Sequence, residues 1–518
     1  AFAADSVDDI LDKALAVIPE DCEYVRMARD IRRFYETRPD DDWRKCFQYI
    51  FEKWGYDRYP GGCHIIPNSA VMVMSLLYGA GSFDRTLNIC NMAGWDTDCN
   101  VGNIGAIMGT YVGLSGIDYN KWRKPINDFL VTSGVVGSLN ITDLPACVRT
   151  IARLAYKIAE EQWDGRWDDF ISESAARFSF ELPGSTEAFR MEGSKEMLLT
   201  NDGTVMRSGQ GCLKAVFKRV TSGDTLKLYY GTYYRPHHFH NSRYDPSFSP
   251  ILYPGQTVTA WVMSDAGVNV RAGLYVLEGN DDRIYAGESV ELKKGEWTCL
   301  SYTIPALSGA CIEQAGVLLE PLEGWSDDAL LYLDDMTFSG NPEYTLDFFR
   351  ERIEKWTVHH QEVSQMTKLK GIWYLEDGCL TGSCADFGEA YTGDVAWRDY
   401  EATCTLRPMM DGLIGFNFRV QGAIRGYSLA YRDGTLLLQK NENGYTTLSS
   451  IPYEWPMKEF RTLTVRVEGN AMSVLESGKV LISTVDETRP YLNGMVGLRV
   501  EKGGRVQCKS IRICPYTL

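Results

Sequence analysis

The sequence predicts a multidomain α + β chain: an all-α helical segment first, then two antiparallel β-sandwich (jelly-roll) domains. Three observations lead there. The chain has 518 residues, which suggests about three or four domains rather than one core. Through the first 165 or so positions, apolar residues recur at three- and four-residue spacing, the period of a helix face. Beyond about Phe170, two-residue alternation takes over, punctuated by Gly, Asp and Asn turns.

The helices come first. Val7, Ile10, Leu11, Ala14, Leu15 and Ile18 fit one face, and Pro19 stops that helix. A second periodic run passes through Trp43, Phe47, Ile50, Phe51 and Trp54. The triple Asp40-Asp41-Asp42 before it reads as a cap against the helix dipole; a metal cluster is the alternative. A third helix follows Pro67, and others begin near Asp84, after Cys99 and near Leu144. The helical domain is therefore set at residues 1–170.

The β-rich part divides into two. Thr225–Tyr230 and Thr257–Val262 alternate as strands within a sandwich spanning 176–341. Residues 342–365 read as a linker or short helix carrying Phe348, Ile353 and Trp356. A second sandwich covers 366–518, with strands at Leu413–Val420, Gly426–Arg432, Thr435–Lys440, Thr462–Val467 and Gly494–Val500.

Composition narrows the function classes. Apolar content is 44%, charged content 24% and net charge −16. Such an acidic surface argues against nucleic-acid or anionic-lipid partners. No run reaches the roughly 18 apolar residues of a membrane-spanning helix. The opening Ala1-Phe2-Ala3-Ala4-Asp5 has no initiator Met, basic region or export signal, and reads as the interior of a longer polypeptide. Fourteen cysteines are scattered without a C-x-x-C pair, and Cys90 and Cys147 lie in apolar runs. This points to free, mostly buried thiols and favours a cytoplasmic setting over an exported disulfide protein.

The chemistry concentrates in Ser82–Gly113. One helix ends at Gly94, which suits a C-terminal cap. Asp96 and Asp98 follow, one residue apart, and a new helix begins directly. Two hard oxygen ligands at this spacing can converge on Mg²⁺ or Ca²⁺, or they can simply cap the helix. Gly102, Gly105, Ala106, Gly109 and Gly113 form a small-residue stripe suited to close packing on another helix. Asn100 and Asn103 sit three apart on an otherwise apolar helix, and buried amides need partners.

Read as a set, Gly94-Trp95-Asp96-Thr97-Asp98-Cys99-Asn100 through Thr110 resembles the C-terminal signature of the ADP-ribosylglycohydrolase family. Pro67-Asn68-Ser69-Ala70 through Asp84, and Ala14 through Pro19, are similar to that family as well. The resemblance covers roughly 1–165. It implies an all-α fold with a metal site of up to two ions, Mg²⁺ first, with Ca²⁺ or Mn²⁺ as alternatives. It implies hydrolysis of a glycosidic bond to an ADP-ribosyl group or similar glycoside. Asp96 and Asp98 become metal ligands. The next ligand is a Ser or Thr hydroxyl in the family, and Cys99 stands there, a poor ligand for a hard cation. Asn100, Asn103, Trp95 and His64 become substrate contacts, with structural roles as the alternative for the amides and for His64.

The family's other metal motif, a Thr-Asp-Asp-Thr-like run, is missing from residues 1–165. The resemblance is thus to the second half of the catalytic domain. It implies a companion segment carrying the first half, and the carboxylate that moves the proton is not named in this chain.

Residues 176–341 resemble a jelly-roll carbohydrate-binding module, through Phe180–Ser185, Leu252–Val258, Gly295–Thr298 and Leu331–Asp335. That resemblance implies a structural Ca²⁺ at Glu181 and Asp335. It makes Tyr233 and Tyr234, in the run with Tyr229 and Tyr230, candidates for stacking on sugar rings. His237-His238-Phe239-His240 is either a soft-metal cluster or a polar loop, with no acidic partner in register. Residues 366–518 resemble a concanavalin-like jelly roll through Trp373–Gly378, Trp397–Tyr400 and Gly415–Arg419. The expectation is a metal-dependent glycoside hydrolase with sugar-binding modules. The alternative is a non-catalytic carbohydrate-binding protein that keeps half of a metal site.

Overall fold

The computed structural model describes residues 1–239, 246–265, 268–307 and 311–516. They form two compact units, Ala1–Ile126 and Asn127–Leu518.

The first unit is helical. Its helices are α1 (Val7–Leu15), α2 (Glu23–Thr37), α3 (Trp43–Trp54), α4 (Ile65–Gly79), α5 (Phe83–Ala93) and α6 (Thr97–Val112). The α4 helix is the hub: every residue except Ile65 and Met72 is buried, and α2, α3, α5 and α6 pack on it. Apolar residues all around a helix are the mark of a central one. Side-chain caps set helix starts, at the Asp40–Asp42 run as expected and also at Ser82. The Asp42 carboxylate accepts from Arg44 N at 2.9 Å, and Ser82 Oγ accepts from Arg85 N at 3.3 Å. The triple Asp is a cap.

The sequence reading passed over α2. Its core stripe is narrow (Met27, Ala28, Ile31, Phe34) and lies among six charged residues, Arg26, Arg29, Asp30, Arg32, Arg33 and Glu36, so periodicity alone is a weak signal. Asp30 explains its position. This buried carboxylate accepts from Tyr49 Oη at 2.8 Å and Trp54 Nε1 at 2.9 Å, and pairs with Lys53 Nζ at 2.8 Å. All three partners come from α3.

The second unit opens with a short ribbon, Phe129–Val131 paired with Ile141–Asp143, and helix α7 (Leu144–Ala159). These residues were expected in the helical domain; they pack on the β-structure instead. Ile141 joins the core of the first sandwich. The Arg149 guanidinium donates to the Arg177 carbonyl, and Asp128 accepts from Ser185 Oγ and Thr186 N. The helical unit thus ends at Ile126, not near 170.

Two antiparallel sandwiches follow. In the first, a sheet containing Leu226–Gly231, Ile312–Pro321 and Val270–Glu278 faces one containing Cys212–Thr221, Trp325–Ser339 and Thr257–Ser264. Alternate residues such as Leu213, Ala215 and Phe217 meet Leu228, Leu274 and Val317 in a common core. In the second, the last strand Arg505–Pro515 lies between Cys379–Ser383 and Tyr400–Met410. The facing sheet runs Thr367–Lys370, Phe387–Thr392, Met495–Glu501, Leu413–Gly422, Arg425–Arg432, Thr435–Glu442, Tyr445–Pro452 in spatial order. Residues 342–365 are not helical. Tyr344–Asp347 pairs with the final strand, Ile353–Lys355 and Gln361–Val363 make a hairpin, and Phe348 enters the second core. No helix among the described residues is long and apolar enough to cross a membrane.

Asp30→Ala strands the Tyr49 hydroxyl and Trp54 indole without an acceptor, and is expected to lower the stability of the helical unit by about 2–3 kcal/mol in urea denaturation. Burial alone would raise the Asp30 carboxyl, but the hydrogen bonds from Lys53, Trp54 and Tyr49 outweigh it and hold it below the usual range. Its contribution is therefore complete at neutral pH and is lost as pH falls below about 4, a loss that Asp30→Ala should abolish.

Candidate functional site

The turn between α5 and α6 builds the site in the helical unit. Gly94 ends α5 at φ 75°, where a side chain would be strained, and its N–H bonds Asn91 O at 3.2 Å. Two residues later Asp96 is also left-handed, at φ 44°. Asp is among the few side-chain-bearing residues that tolerate this region. Asp96 is the N-cap of α6, and its carbonyl accepts from Asn100 N at 2.9 Å, while its side chain caps nothing. The carboxylate points instead toward α4, where Asn68 Nδ2 donates to Asp96 Oδ2. Asn68 Oδ1 in turn accepts from Tyr56 Oη. Burial first, and then the Asp96 charge, push the Tyr56 phenol up, so it remains a donor.

Asp96, Asp98 and Cys99 bring ligand atoms within 4.8 Å of one another. Asp96 is half-buried; Asp98 and Cys99 are exposed. The Asp96 charge, then burial, then Asp98, push the Cys99 thiol up, so it stays protonated at neutral pH. A protonated thiol is no ligand for a hard cation. This chain therefore presents two carboxylates suited to such a cation, fewer than the six oxygens an octahedral Mg²⁺ requires.

The other expected residues sit as follows. Trp95 is half-buried, its ring centroid 5.0 Å from Phe47 and 4.9 Å from Tyr56. Asn100 is buried and donates to Trp95 O at 2.8 Å, which fastens the turn. Asn103 is exposed and donates back to Cys99 O at 2.9 Å. His64 is the N-cap of α4, with Nδ1 accepting from Ile66 N at 3.2 Å and its ring 5.1 Å from Tyr59. The structure brings Asp96, Asp98 and Cys99 together and commits Asn100 and His64 to backbone. Asn68 and Tyr56 were missed as site residues. An amide buried at the start of an otherwise apolar α4 was the available signal, since it needs a partner. The small-residue stripe is only partly used. A Cβ added at Gly109 would lie 3.8 Å from Phe83 and Ile117, but one at Gly102 or Gly105 would meet nothing within 4 Å among the described residues.

In the β-unit, Tyr233 and Tyr234 are not sugar platforms. They are 1% and 4% exposed. Tyr233 Oη is fixed between Glu354 and Gln365 N, and Tyr234 packs against Phe129, Phe239 and Phe248. Sequence alternation did not reveal that the ribbon and the 246–253 segment cover this edge. His237 and His238 do have an acidic neighbour, Glu313, a buried residue far along the chain. Yet His238 Nδ1 accepts from Arg235 N at 2.9 Å, and the Arg235 guanidinium already pairs with Glu313. A metal on His238 Nε2 would need that Nδ1 to carry the proton, so this cluster does not fit one. His240 lies outside the described residues.

At the expected calcium position, Glu181 lies within electrostatic reach of Asp334 as well as Asp335. Glu181 Oε2 accepts from Gln210 N at 2.7 Å, and its buried Oε1 has no partner among the described residues. Asp334 accepts from Arg207 N at 2.9 Å, whereas Asp335 is paired with the Arg207 side chain. Gly209, at φ 61°, leaves the space in front of Glu181 that a Cβ would fill. Glu181 Oε1 is thus the open oxygen here, while Asp335, the other expected ligand, is already held by Arg207. Burial pushes Asp334 and Glu181 each up to about 7, helped by the Asp335 charge on Asp334 and by Asp334, Asp169 and Asp335 on Glu181.

Against known proteins, one comparison bears on the helical part. Residues 1–165 match the ADP-ribosylglycohydrolase family model. The matched span includes the whole Asp96 turn and runs past Ile126 into α7. No curated protein matches the chain. Similar solved structures include the carbohydrate-binding module CBM66 of Bacillus subtilis, 16% identical over 28% of this chain and 94% of that one, with a TM-score of 0.26. A putative glycosyl hydrolase from Parabacteroides distasonis is 16% identical over 29% and 85%, with a TM-score of 0.23. The CBM22 tandem of Paenibacillus barcinonensis Xyn10C is 10% identical over 65% and 96%, with a TM-score of 0.22. At these scores the likenesses carry no functional argument, and the sandwich assignment rests on the sheet topology described above.

Because the raised Glu181 and Asp334 carboxyls bind protons more tightly folded than unfolded, stability should fall as pH rises from about 4 through about 7. Glu181→Gln is expected to flatten that decline in melting scans from pH 5 to 8. Added Ca²⁺ at pH 8 should raise the melting temperature of the wild type by several degrees, following about 2.7 kcal/mol at a hundredfold excess over Kd, and should leave Glu181→Gln nearly unmoved.

Proposed function

We propose that this chain is a metal-dependent glycoside hydrolase of the ADP-ribosylglycohydrolase type, acting on an ADP-ribosyl or other glycosidic bond and assisted by sugar-recognising β-modules. The observation that carries the reading is the Tyr56–Asn68–Asp96 relay inside the family-matched segment. It holds one carboxylate in a left-handed turn beside a second, and a helix cap alone would not need it.

In this reading Asp96 and Asp98 hold a divalent cation, Mg²⁺ first, with Mn²⁺ or Ca²⁺ as alternatives. Such a cation would lower the pKa of a bound water and orient sugar hydroxyls. Asn68 aims Asp96 by donating to Oδ2. Tyr56 fixes the Asn68 amide so that its NH₂ faces the carboxylate. Asn100 locks the turn through the Trp95 carbonyl. A companion segment supplies further oxygens and the proton-transferring carboxylate. The open face of α6 at Gly102 and Gly105 supports that part of the reading. The second reading, a sugar-binding protein with a half site, is favoured by Cys99 standing where the family has a hydroxyl.

Two measurements separate them. Mn²⁺ titration followed by electron paramagnetic resonance should show binding that Asp96→Asn abolishes without changing the melting temperature. Mg²⁺-dependent release of ADP-ribose from ADP-ribosylated arginine, or of p-nitrophenol from aryl glycosides, should drop at least a hundredfold in the Asp96→Asn/Asp98→Asn double variant. Cys99→Ser, which restores a hard donor, is expected to tighten Mg²⁺ severalfold. A chain that neither binds cation nor hydrolyses any of these substrates supports the second reading.

A further inference from the structure

The outer face of the seven-stranded sheet in the second sandwich is unlike an ordinary solvent face. Its inner face supplies core residues such as Ala390, Leu498, Phe416, Leu429 and Leu438. The alternate residues should meet water and be polar and exposed. They are polar, but they are buried: Glu389 and Arg499 pair in register, as do Asn417 and Ser428, and each of the four is at most 2% exposed. In the middle of this face the residues shrink. Arg499 is followed across the sheet by Gly415 and Ala430, and Tyr391 by Gly497. Small residues between large ones leave a hollow, and a cleft of about 670 Å³ lies there, bordered by Phe387, Leu413, Ile424, Gln439, Tyr445 and Arg499. That volume is within the usual range for a small-ligand site.

The polar groups in this hollow are held rigid. Arg499 donates to Glu501 Oε1 at 2.9 Å and Gln439 Oε1 at 3.0 Å, and its guanidinium lies 3.2 Å from the Tyr445 ring centre. The Tyr391 and Tyr445 hydroxyls both donate to Glu389. Two fully buried groups have no partner among the described residues: Asn417 Oδ1 and Ser428 Oγ. A Cβ on Gly415 would meet that Ser428 hydroxyl at 2.9 Å and the Arg499 stem at 3.5 Å, so both flank the space above the glycine. Ser428 is the cross-strand neighbour of the lining residue Gln439, and buried polar atoms left unpaired beside a cleft are costly unless a ligand satisfies them.

The charges identify the ligand class. Arg432, Arg499 and Glu501 line the cleft, and the buried Glu389 lies 3.8 Å from Arg499 behind that lining, so positive and negative charges are matched. A ligand anion would meet the carboxylates and a cation the guanidinia. A neutral polyol suits both, because each hydroxyl donates to one group and accepts from another. Tyr445 and Phe387 add ring faces for the C–H side of a sugar.

We infer that this cleft is a binding site for a neutral saccharide, with Arg499, Glu501, Gln439 and Tyr445 as its recognition residues. The inference deepens the sugar-recognition part of the proposed function and does not depend on catalysis at Asp96. The full chain is tested on an array of neutral, sialylated and sulfated glycans, and the strongest neutral glycan is then titrated calorimetrically. Tyr445→Ala and Ile424→Trp, the latter filling the cleft from an exposed position, should each weaken binding at least tenfold with an unchanged circular dichroism spectrum. Asp96→Asn should bind as the wild type does, so lost hydrolysis and lost binding are told apart. No retained neutral glycan, retention of anionic glycans only, or binding that both cleft variants leave intact would overturn the assignment.

Discussion

The helical unit depends on reversing the chain between α5 and α6 within three residues. A helix can end and another begin so abruptly only if backbone positions in between go left-handed, and here Gly94 and Asp96 both do. Gly94 does so freely. Asp96 does so under strain that its surroundings must offset. The Asn68 amide on α4 and the Asn100 amide on α6 do that from either side. The same constraint that lets α6 pack back onto α4 therefore lifts the Asp96 carboxylate out of its capping role and turns it toward Asn68.

The β-unit is governed by a different constraint, the placement of buried polar groups. Arg235 sits between Glu313 and Glu354, Asp128 collects the Ser185–Glu187 loop, and Arg499 is fixed among Glu501, Gln439 and Tyr445. Each tie joins segments far apart in the chain. Satisfied networks of this kind specify one arrangement of sheets, since any slip leaves a charge unpaired in a low dielectric. They also explain why Tyr233 and Tyr234 are locked inside and why the His237–His238 loop does not suit a metal: their polar atoms already serve this scaffolding.

Much of the fold was legible from local pattern. The cap at the Asp40–Asp42 run, the helix start near Asp84, the Gly94 stop and the alternating strands from Leu413 onward all lie where the sequence placed them, because each depends on residues adjacent in the chain. Reading failed where a local signal was weak or competed with a distant partner. Helix α2 carries too many charges to show its stripe, and Tyr344–Asp347 is a strand only because the last strand, Arg505–Pro515, is there to pair with it. Residues 127–165 look helical and continuous with what precedes them, yet Asp128 and Arg149 bind them to the β-unit.

For the sites, the sequence by itself determined that Asp96 and Asp98 flank a helix start in an ADP-ribosylglycohydrolase-like run, since that signature is contiguous. Only the tertiary structure decided that Asn68 and Tyr56 orient Asp96, that Asp334 as well as Asp335 lies in reach of the Glu181 charge, and that Arg499, Glu501 and Gln439 line one cleft. Those groups are brought together by helix packing and strand register. Register is set by which faces must be buried across the whole sheet, so no window of sequence contains it.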